Sequence, residues 1–371
     1  MGGTAIWDPA PSREQFLMHG LQAAAFGSCG LLYWTGDPWR GGHWPHWGGL
    51  LDWSGHPEPD FAWAVELGKI FDQWGPCLIE NPVKATTVAL DDFEQRAALE
   101  IYPHTKASPT VLCQSFGAMH RLGVGVGCMN LAKAASASNL AQYSLVLVPA
   151  ATALDDLKVI VALRDFAQHG GIVVITPFTA YQDKDGIFRG DGFGANLREL
   201  AGGLVRTVRS MGMESASQNM DPAVEWLGAG MMGPSPVGLE GNCEFLEVDP
   251  EAEVVARFKS RLSIVNGRPA TTVRKLGRGR VVKLAWWPGD DSLLGLVRQL
   301  LSGGRSLLAA PVPVGVLAVP HADDSLFIVN TTRQKMSVRL AHGLKERISG
   351  GSLGWTAILT PFQVVWLEQI A

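Results

Sequence analysis

The chain has 371 residues, of which 47% are apolar and 18% are charged, and its formal net charge is −4. This composition is typical of a globular protein, and the length allows two or three domains. Because the sequence has no basic stripe or polybasic run, we expect neither nucleic acid nor an anionic membrane as a partner. No apolar run approaches the roughly 18–20 residues that span a bilayer, and the N-terminal sequence lacks the pattern of a signal peptide.

The five cysteines form no Cys-x-x-Cys pair, and their number is odd. Such a set is typical of reduced, mostly buried side chains that act as small apolar residues, rather than of a disulfide framework. Reduced cysteines favour a cytoplasmic location. The five residues are Cys29, Cys77, Cys113, Cys128 and Cys243.

The first 74 residues contain eight of the thirteen tryptophans, so this segment differs chemically from the rest of the chain. Its pattern predicts a helix, a buried strand, a long loop and a second helix, an order that suits the last unit of a (β/α)8 barrel. One unit cannot close a barrel, because closure needs eight strands. The predicted elements are a helix at Ser12–Ala25 with Ser12 as N-cap, a strand at Gly30–Trp34, a loop at Thr35–Gly49, and a helix at Phe61–Trp74 that Gly75-Pro76 ends.

Strands and helices alternate from residue 83 to about residue 210, which predicts a doubly wound α/β domain. Two of the strands, Tyr143–Pro149 and Ile172–Thr176, are nearly continuous apolar runs, as parallel sheets require. The Ala/Ser-rich stretch Ala132–Ser138 is predicted to be a loop. The other predicted elements are strands at Ala85–Leu90 and Gly123–Cys128 and helices at Thr110–Leu122 and Leu154–His169.

From about residue 211 the pattern becomes β-rich, and short alternating strands after about residue 311 predict a small antiparallel module. One helix, Asp291–Leu301, is predicted between these parts. The predicted strands are Glu253–Phe258, Thr271–Arg274, Arg280–Ala285, Val314–Val319, Ser325–Val329, Ser337–Ala341, Thr356–Leu359 and Val364–Leu367.

The predicted α/β domain is compatible with an amidotransferase-like or a flavodoxin-like fold. An amidotransferase carries a nucleophilic Cys on a sharp turn between a strand and a helix, with a His as base. Here the strand Ile172–Thr176 runs into Pro177-Phe178, and the strand Tyr143–Pro149 runs into Ala150-Ala151, so neither turn holds a Cys. No Gly-x-Ser-x-Gly or dinucleotide-binding motif is present. We therefore predict a structural or assembly role for this domain, and no cofactor.

A loop rich in Trp and His follows the predicted barrel strand at its C-terminal end, where barrel active sites lie. Aromatic faces pack on the apolar faces of sugar rings, whereas Arg and His bond ring hydroxyls. We therefore expect this loop to contact a sugar; the alternative is that its tryptophans belong to a core or an interdomain seam. The candidate substrate-binding residues are Trp34, Trp39, Arg40, His43, Trp44 and His46.

The same loop has a spacing at Asp37, His43 and His46 that would allow a metal site of two histidines and one carboxylate. Pro45 between the histidines and the lack of a fourth candidate ligand count against this alternative, so we predict no metal. Retaining glycoside hydrolases need two carboxyl groups about 5–5.5 Å apart around the scissile bond. Among the carboxylates of the first segment, only Asp37 lies at the end of a recognisable barrel strand, so no catalytic residue is assigned.

One stretch, Leu90–His104, closely resembles the start of the trimerisation domain of glycoside hydrolase family 42. In that family the domain has an amidotransferase-like fold without the corresponding activity, which agrees with the missing Cys. The resemblance spans nearly the whole chain and is most specific between residues 85 and 210. It continues in order through Arg121–Gly127, Tyr143–Pro149, Phe166–Thr176, Phe188–Gly194 and Leu197–Gly202.

The first segment resembles the family's last barrel strand and the loop after it, where a Trp-Arg pair precedes Gly-x-Glu-x-x-His. Trp34 matches the Trp, but Thr35 replaces the Arg. His46 matches the final His, whereas His43 stands where Glu is usual. The resemblance implies that His46 contacts galactose. The two departures leave another β-glycoside, such as an arabinoside or a fucoside, as an alternative.

The resemblance implies part of a retaining β-galactosidase-like enzyme that acts on terminal β-galactosides and is a homotrimer when complete. The family's acid/base Glu lies on barrel strand four and its nucleophile Glu on strand seven, so we expect a fragment that is inactive alone. A non-catalytic oligomerisation or carbohydrate-binding protein is the alternative. The predicted α/β architecture has a truncated (β/α)8-barrel end at 1–82, an amidotransferase-like (flavodoxin-like) trimerisation domain at 83–310 and a small antiparallel β-sandwich at 311–371.

Overall fold

The computed structural model describes residues 10–36, 49–100, 108–183, 185–188, 190, 192, 194–210, 223–227, 237–238, 240–302 and 306–370. The chain divides into two compact units. What we call the terminal unit comprises Met1–Lys84, His120–Gly125 and Arg305–Ala371, and the central unit comprises Ala85–Met119 and Val126–Gly304. Within the described ranges, no helix has the length and apolar character needed to cross a bilayer.

Two helices, α1 (Arg13–Ala25) and α2 (Pro59–Glu80), form the N-terminal part of the terminal unit. The Ser12 hydroxyl accepts a hydrogen bond from the Gln15 backbone N–H, as predicted for an N-cap. Helix α2 continues through Gly75-Pro76, so the predicted end of this helix was wrong. Proline lacks an N–H and disfavours a helix interior, but the last turns of α2 are held by packing of Trp74, Cys77 and Leu78 against buried aromatic residues of the C-terminal strands.

The predicted strand at Gly30–Trp34 is instead an extended segment that pairs with no strand among the described residues. Its side chains alternate between two sides, as in any extended chain. Tyr33 stacks on Phe16 of α1 with ring centroids 5.4 Å apart. Leu32 and Trp34, on the other side, are 101% and 56% exposed. Strand pairing depends on neighbouring strands, which an apolar run alone does not supply.

The C-terminal part of the terminal unit is antiparallel, as predicted for the tail. A five-stranded sheet has the order β13-β14-β19-β16-β17, and β15 pairs with β18. The segment at Val83 forms a bridge to His321 at the edge of the larger sheet. The strands are β13 (Val316–Pro320), β14 (Leu326–Asn330), β15 (Met336–Arg339), β16 (Leu344–Glu346), β17 (Ser352–Leu353), β18 (Thr356–Leu359) and β19 (Val364–Gln369).

The central unit is built on a nine-stranded mixed sheet with the order β2-β1-β3-β4-β11-β10-β9-β6-β7. Strands β1, β3, β4 and β11 are parallel, and the pairs from β11 to β7 are antiparallel. A second sheet has the order β12-β8-β5. The strands are β1 (Ala85–Leu90), β2 (Gly125–Met129), β3 (Leu145–Val148), β4 (Ile172–Ile175), β5 (Gly203–Ser210), β6 (Ala223–Trp226), β7 (Val237–Gly238), β8 (Glu240–Val248), β9 (Ala252–Lys259), β10 (Pro269–Leu276), β11 (Gly279–Leu284) and β12 (Trp286–Trp287).

Helices cover the parallel part of the large sheet. In β3 every side chain is buried, which explains its continuous apolar run. The stretch Ala132–Ser138 was wrongly predicted as a loop: it contributes to two short helices, the first of which starts where the Asn130 side chain accepts the Lys133 N–H. The helices are α3 (Phe93–Glu100), α4 (Ser108–Arg121), α5 (Leu131–Ala134), α6 (Ala137–Leu140), α7 (Leu157–Gln168), a 3-10 turn (Ala195–Leu197), α8 (Arg198–Ala201) and α9 (Asp290–Leu300).

All five cysteines are free, but the prediction that most are buried was wrong. Only Cys243 is buried, and desolvation raises the pKa of its thiol to about 12. Cys29, Cys113 and Cys128 are exposed, and Cys77 is half-buried. The number and spacing of the cysteines therefore do not predict which of them are buried.

Candidate functional site

Trp34 is the one predicted sugar-binding residue that lies within the described part of the chain. It follows Tyr33, which α1 holds by ring stacking, and its indole is more than half exposed on the opposite side of the extended segment. The peptide bond between Trp34 and Thr35 is cis. An exposed indole beside polar loop residues is the arrangement that packs against a sugar ring.

The other candidates, Trp39, Arg40, His43, Trp44 and His46, lie outside the described residues, as does Asp37 of the alternative metal site. The Leu50 N–H donates to the Thr35 carbonyl at 3.0 Å, and the Leu51 N–H donates to the Gly36 carbonyl at 2.9 Å. These two bonds bring the ends of segment 37–48 together. The Trp/His loop therefore leaves and returns at one place, next to Trp34.

A tight turn follows the loop and presents a second exposed indole, that of Trp53. The Asp52 carboxylate accepts the backbone N–H groups of Ser54 and His56, each at 2.8 Å. The bond from the His56 N–H is the main reason that the pKa of Asp52 is lowered. Sequence analysis did not single out Trp53, although this residue lies just after the Gly/Trp/His-rich loop.

Asp60, in the first turn of α2, is a buried carboxyl group near this turn. It is 6% exposed, and its Oδ1 has no hydrogen-bond partner among the described residues. Burial raises its pKa, because desolvation disfavours the charged form. Within the described residues, no group of three or more His, Cys, Asp or Glu side chains could hold a metal ion.

The carboxyl ends of the parallel strands in the central unit are the usual ligand site of an open α/β sheet. Here α3 lies over them. The Gln95 side chain accepts the Ala153 N–H just after β3, at 2.6 Å, and it is 8% exposed. Leu99 is fully buried in a cluster with Ala150 and Phe178, which follow β3 and β4. Gln95 and Leu99 thus occupy part of the space at the carboxyl ends of these strands.

The turn after β4 contains two non-glycine residues with positive φ angles and no Cys. Phe178 and Ala180 have φ angles of 59° and 58°, which are unusual for residues with a Cβ. The Phe178 ring stacks on Trp287 with centroids 5.8 Å apart and contacts Tyr181 at 5.0 Å. An aromatic side chain packed in this way supports the fold and offers no nucleophile.

A buried polar network holds this turn in place. The Glu244 carboxylate is fully buried and accepts the Phe178 N–H at 2.8 Å and the Tyr181 hydroxyl at 2.5 Å. Its other oxygen lies 2.7 Å from the Lys283 ammonium, which also donates to the Thr176 carbonyl at 3.1 Å. Sequence analysis missed this network, because Glu244 and Lys283 are far apart in the chain and form no local motif.

Comparison with known proteins identifies β-galactosidases as relatives of this chain. The sequence profile of the β-galactosidase trimerisation domain matches residues 85–305. The β-galactosidase BgaP of Planococcus sp. is 23% identical over 378 residues, covering 98% of this chain and 53% of the relative. The β-galactosidase BglY of Alicyclobacillus acidocaldarius is 24% identical over 339 residues, covering 86% and 46%. The chain spans about half the length of the curated relatives that it matches.

Solved structures show the same fold. The β-galactosidase from Bacillus circulans sp. alkalophilus superposes with a TM-score of 0.86 at 20% identity, covering 100% of this chain and 54% of that one. The β-galactosidase from Halorubrum lacusprofundi has a TM-score of 0.81 at 21% identity, covering 99% and 52%. Since the trimerisation-domain profile also matches more than half of the sequence, this chain belongs to the family 42 glycoside hydrolases and corresponds to a C-terminal portion of their β-galactosidases.

Proposed function

We propose that this chain forms part of a retaining β-galactosidase-like glycoside hydrolase that acts on terminal β-galactosides. The observation that carries the proposal is the family profile over residues 85–305, together with β-galactosidase relatives that cover nearly the whole chain. The exposed indole of Trp34 beside the closed base of the Trp/His loop supports a sugar-binding role there. In this proposal Trp34, Trp39, Arg40, His43, Trp44 and His46 bind the sugar and contribute no catalytic carboxylate.

The chain alone is expected to show no hydrolysis of an aryl β-galactoside above the buffer blank. Hydrolysis needs a nucleophile and a proton donor on the two sides of the glycosidic bond, and residues that only position the sugar cannot replace these two groups. The assay follows release of the aryl alcohol by purified protein, beside a variant with Asp37→Asn. Turnover that disappears in this variant would contradict the expectation, because Asp37 would then be a catalytic carboxylate of the chain itself.

A fusion tests the function directly. Joining the part of the Planococcus β-galactosidase that this chain does not cover to Met1 is expected to give an enzyme that hydrolyses aryl β-galactosides. His46→Ala in the fusion is expected to lower kcat/KM at least about tenfold, since a lost hydroxyl contact costs about 1.4 kcal/mol or more in the transition state. The matched control is His56→Ala, a neighbouring exposed His outside the predicted site. A fusion that circular dichroism shows to be folded, yet is inactive on galactosides, arabinosides and fucosides, would overturn the proposal.

We also propose that the complete protein is a homotrimer that assembles through the domain at residues 85–305. Three-fold assembly joins two different patches on each subunit, so it needs no self-complementary surface. Because this chain contains that domain, light scattering of the chain itself, coupled to gel filtration, is expected to give three times its mass of 39.9 kDa. A monomer at tens of micromolar concentration, or a strict dimer, would count against this assembly.

A further inference from the structure

Helix α3 of the central unit presents a large aromatic ring to solvent at its first residue. Phe93 is 75% exposed, and the acidic residues Asp92 and Glu94 stand on either side of it in the chain. The Asp92 side chain accepts the Glu94 N–H at 3.1 Å, and the buried side chains of Gln95 and Leu99 anchor the helix. The ring is therefore held outward by an ordered backbone. We call Asp92, Phe93 and Glu94 the α3 knob.

The α3 knob is negatively charged. The neighbouring carboxylate of Asp91 pairs with the Arg96 guanidinium at 3.4 Å. Within the described ranges, the carboxylates of Asp92 and Glu94 form no ion pair, so two negative charges beside Phe93 are not compensated. A protein surface that covers this knob therefore needs apolar side chains together with positive charge.

The hairpin that joins β9 to β10 presents a second ordered apolar surface. Leu262 and Ile264 are 53% and 50% exposed at its tip, which comprises residues 260–268. The Gly267 N–H donates to the Phe258 carbonyl at 2.8 Å and closes the tip. Apolar side chains on a backbone that is already ordered lose little conformational entropy on binding. Exposed apolar side chains of this kind mark contact surfaces more often than isolated ones do.

The hairpin tip is positively charged. The guanidinium groups of Arg257 and Arg268 donate to the carbonyls of Gly267 and Ile264, at 2.7 and 2.5 Å. These acceptors are neutral, and neither arginine pairs with a carboxylate in the part of the chain that the structure describes. A guanidinium also binds an aromatic face, which Phe93 offers. The tip is therefore complementary to the α3 knob in charge, and both surfaces have an apolar centre.

The two surfaces lie at the same edge of the nine-stranded sheet but far apart along it. Strand β1 leads into α3 and β9 leads into the hairpin tip, and the pairings between them make these two strands run in the same direction. The strands are five places apart in the sheet, a separation of about 24 Å at roughly 4.8 Å per strand. Complementary surfaces that cannot meet within one chain can meet between two copies of it.

We propose that the α3 knob of one copy packs against the β9–β10 hairpin tip of the next copy, and that this contact, repeated three times, closes the homotrimer. The inference rests on the homotrimer proposed above and names the surfaces that form it. A three-fold contact is heterologous, so each subunit needs two different patches that complement each other. An aromatic ring and arginines, the residue types enriched in interface cores, lie at the centre of this contact.

The first test removes each surface separately in the full chain, with Phe93→Glu and Leu262→Glu. Each variant is expected to need a concentration about a hundredfold higher than the unmodified chain to form trimers, because losing a central apolar side chain weakens each of the three contacts by about thirtyfold. Light scattering coupled to gel filtration measures the mass, and circular dichroism checks the fold. The matched control is Leu157→Glu, which also replaces an exposed apolar first residue of a helix and is expected to remain trimeric.

The second test mixes the two variants. The Phe93→Glu chain keeps an intact hairpin tip, and the Leu262→Glu chain keeps an intact α3 knob, so the mixture can form one contact but cannot close a ring. Sedimentation velocity at hundreds of micromolar is expected to show a 1:1 dimer, twice the 39.9 kDa mass, where either variant alone is a monomer. A mixture that stays monomeric, or single variants that stay trimeric, overturns the proposed contact and leaves the homotrimer standing. An unmodified chain that is monomeric at these concentrations overturns both.

Discussion

Replacing Lys283 with Met is expected to destabilise the central unit by about 3–5 kcal/mol, because the Glu244 carboxylate would remain buried without its cation. Glu244 is fully buried, and the ion pair joins β8 to β11 at 2.7 Å. Methionine keeps the length of the lysine stem but also leaves the Thr176 carbonyl without its donor. Urea unfolding of the purified chain, followed by circular dichroism, measures the change in the free energy of unfolding.

The double variant Lys283→Met with Glu244→Leu separates the contribution of the ion pair to the free energy of unfolding from that of side-chain packing. Removing both charges leaves no buried ion, so the double variant is expected to lose less stability than the two single variants together. Lys275→Met, an exposed lysine on β10, is the control and should change stability by no more than about 0.5 kcal/mol. Additive losses in the double variant would show that the two charges act independently.

The buried parallel strands could be predicted from the sequence because their environment is uniform. Every position of β3 is buried, so a continuous apolar run suffices to identify it. The antiparallel tail could be predicted for a similar reason, since its short apolar runs are separated by turn residues. Strand β8, in contrast, reads EGNCEFLEV and was not predicted, because its polar residues interrupt the apolar pattern and the partners of the buried Glu244 lie far away in the sequence.

The wrong predictions near the candidate site also arise because contacts with distant residues decide the local structure. The run at Gly30–Trp34 has the apolar character of a buried strand, but a strand also needs partners, and the described residues provide none. Gly75-Pro76 is a common helix end, yet α2 continues beyond it. Its last turns pack against a cluster that includes the buried rings of Phe327 and Trp366. Local preference is a weak prior that tertiary packing overrides.

Buried polar residues that link distant parts of the chain were not detected by motif analysis. His321 meets Asn81 and Ala25 across 240 and 296 positions of sequence, and nothing local marks it. The Trp/His loop was predicted to bind a sugar from its aromatic and polar residues and its place after a predicted barrel strand. Residues 37–48 lie outside the described part of the chain, so this stays a prediction.

Replacing Trp366 with Ala is expected to destabilise the terminal unit by about 3–5 kcal/mol, the usual cost of removing a large buried ring. Trp366 is fully buried, stacks on Phe327 at 4.7 Å and contacts Trp74 of α2 at 5.7 Å. The Arg347 guanidinium lies 4.5 Å from its ring centroid. The cavity would therefore remove packing from both the C-terminal strands and the last turns of α2.

The control for this change is Trp366→Phe, which keeps an aromatic ring but loses the indole hydrogen bond to the Ser325 hydroxyl at 2.8 Å. Because Ser325 still donates to Asp323 at 2.6 Å, we expect this variant to lose only about 1–2 kcal/mol. Thermal unfolding followed by near-ultraviolet circular dichroism compares the two variants, and hydrogen exchange at α2 shows whether the helix end loosens with the strands. If Trp366→Ala exposes the C-terminal strands while the amides of Cys77 and Leu78 stay protected, the cluster does not hold the end of α2, and the explanation of the helix passing through Pro76 is wrong.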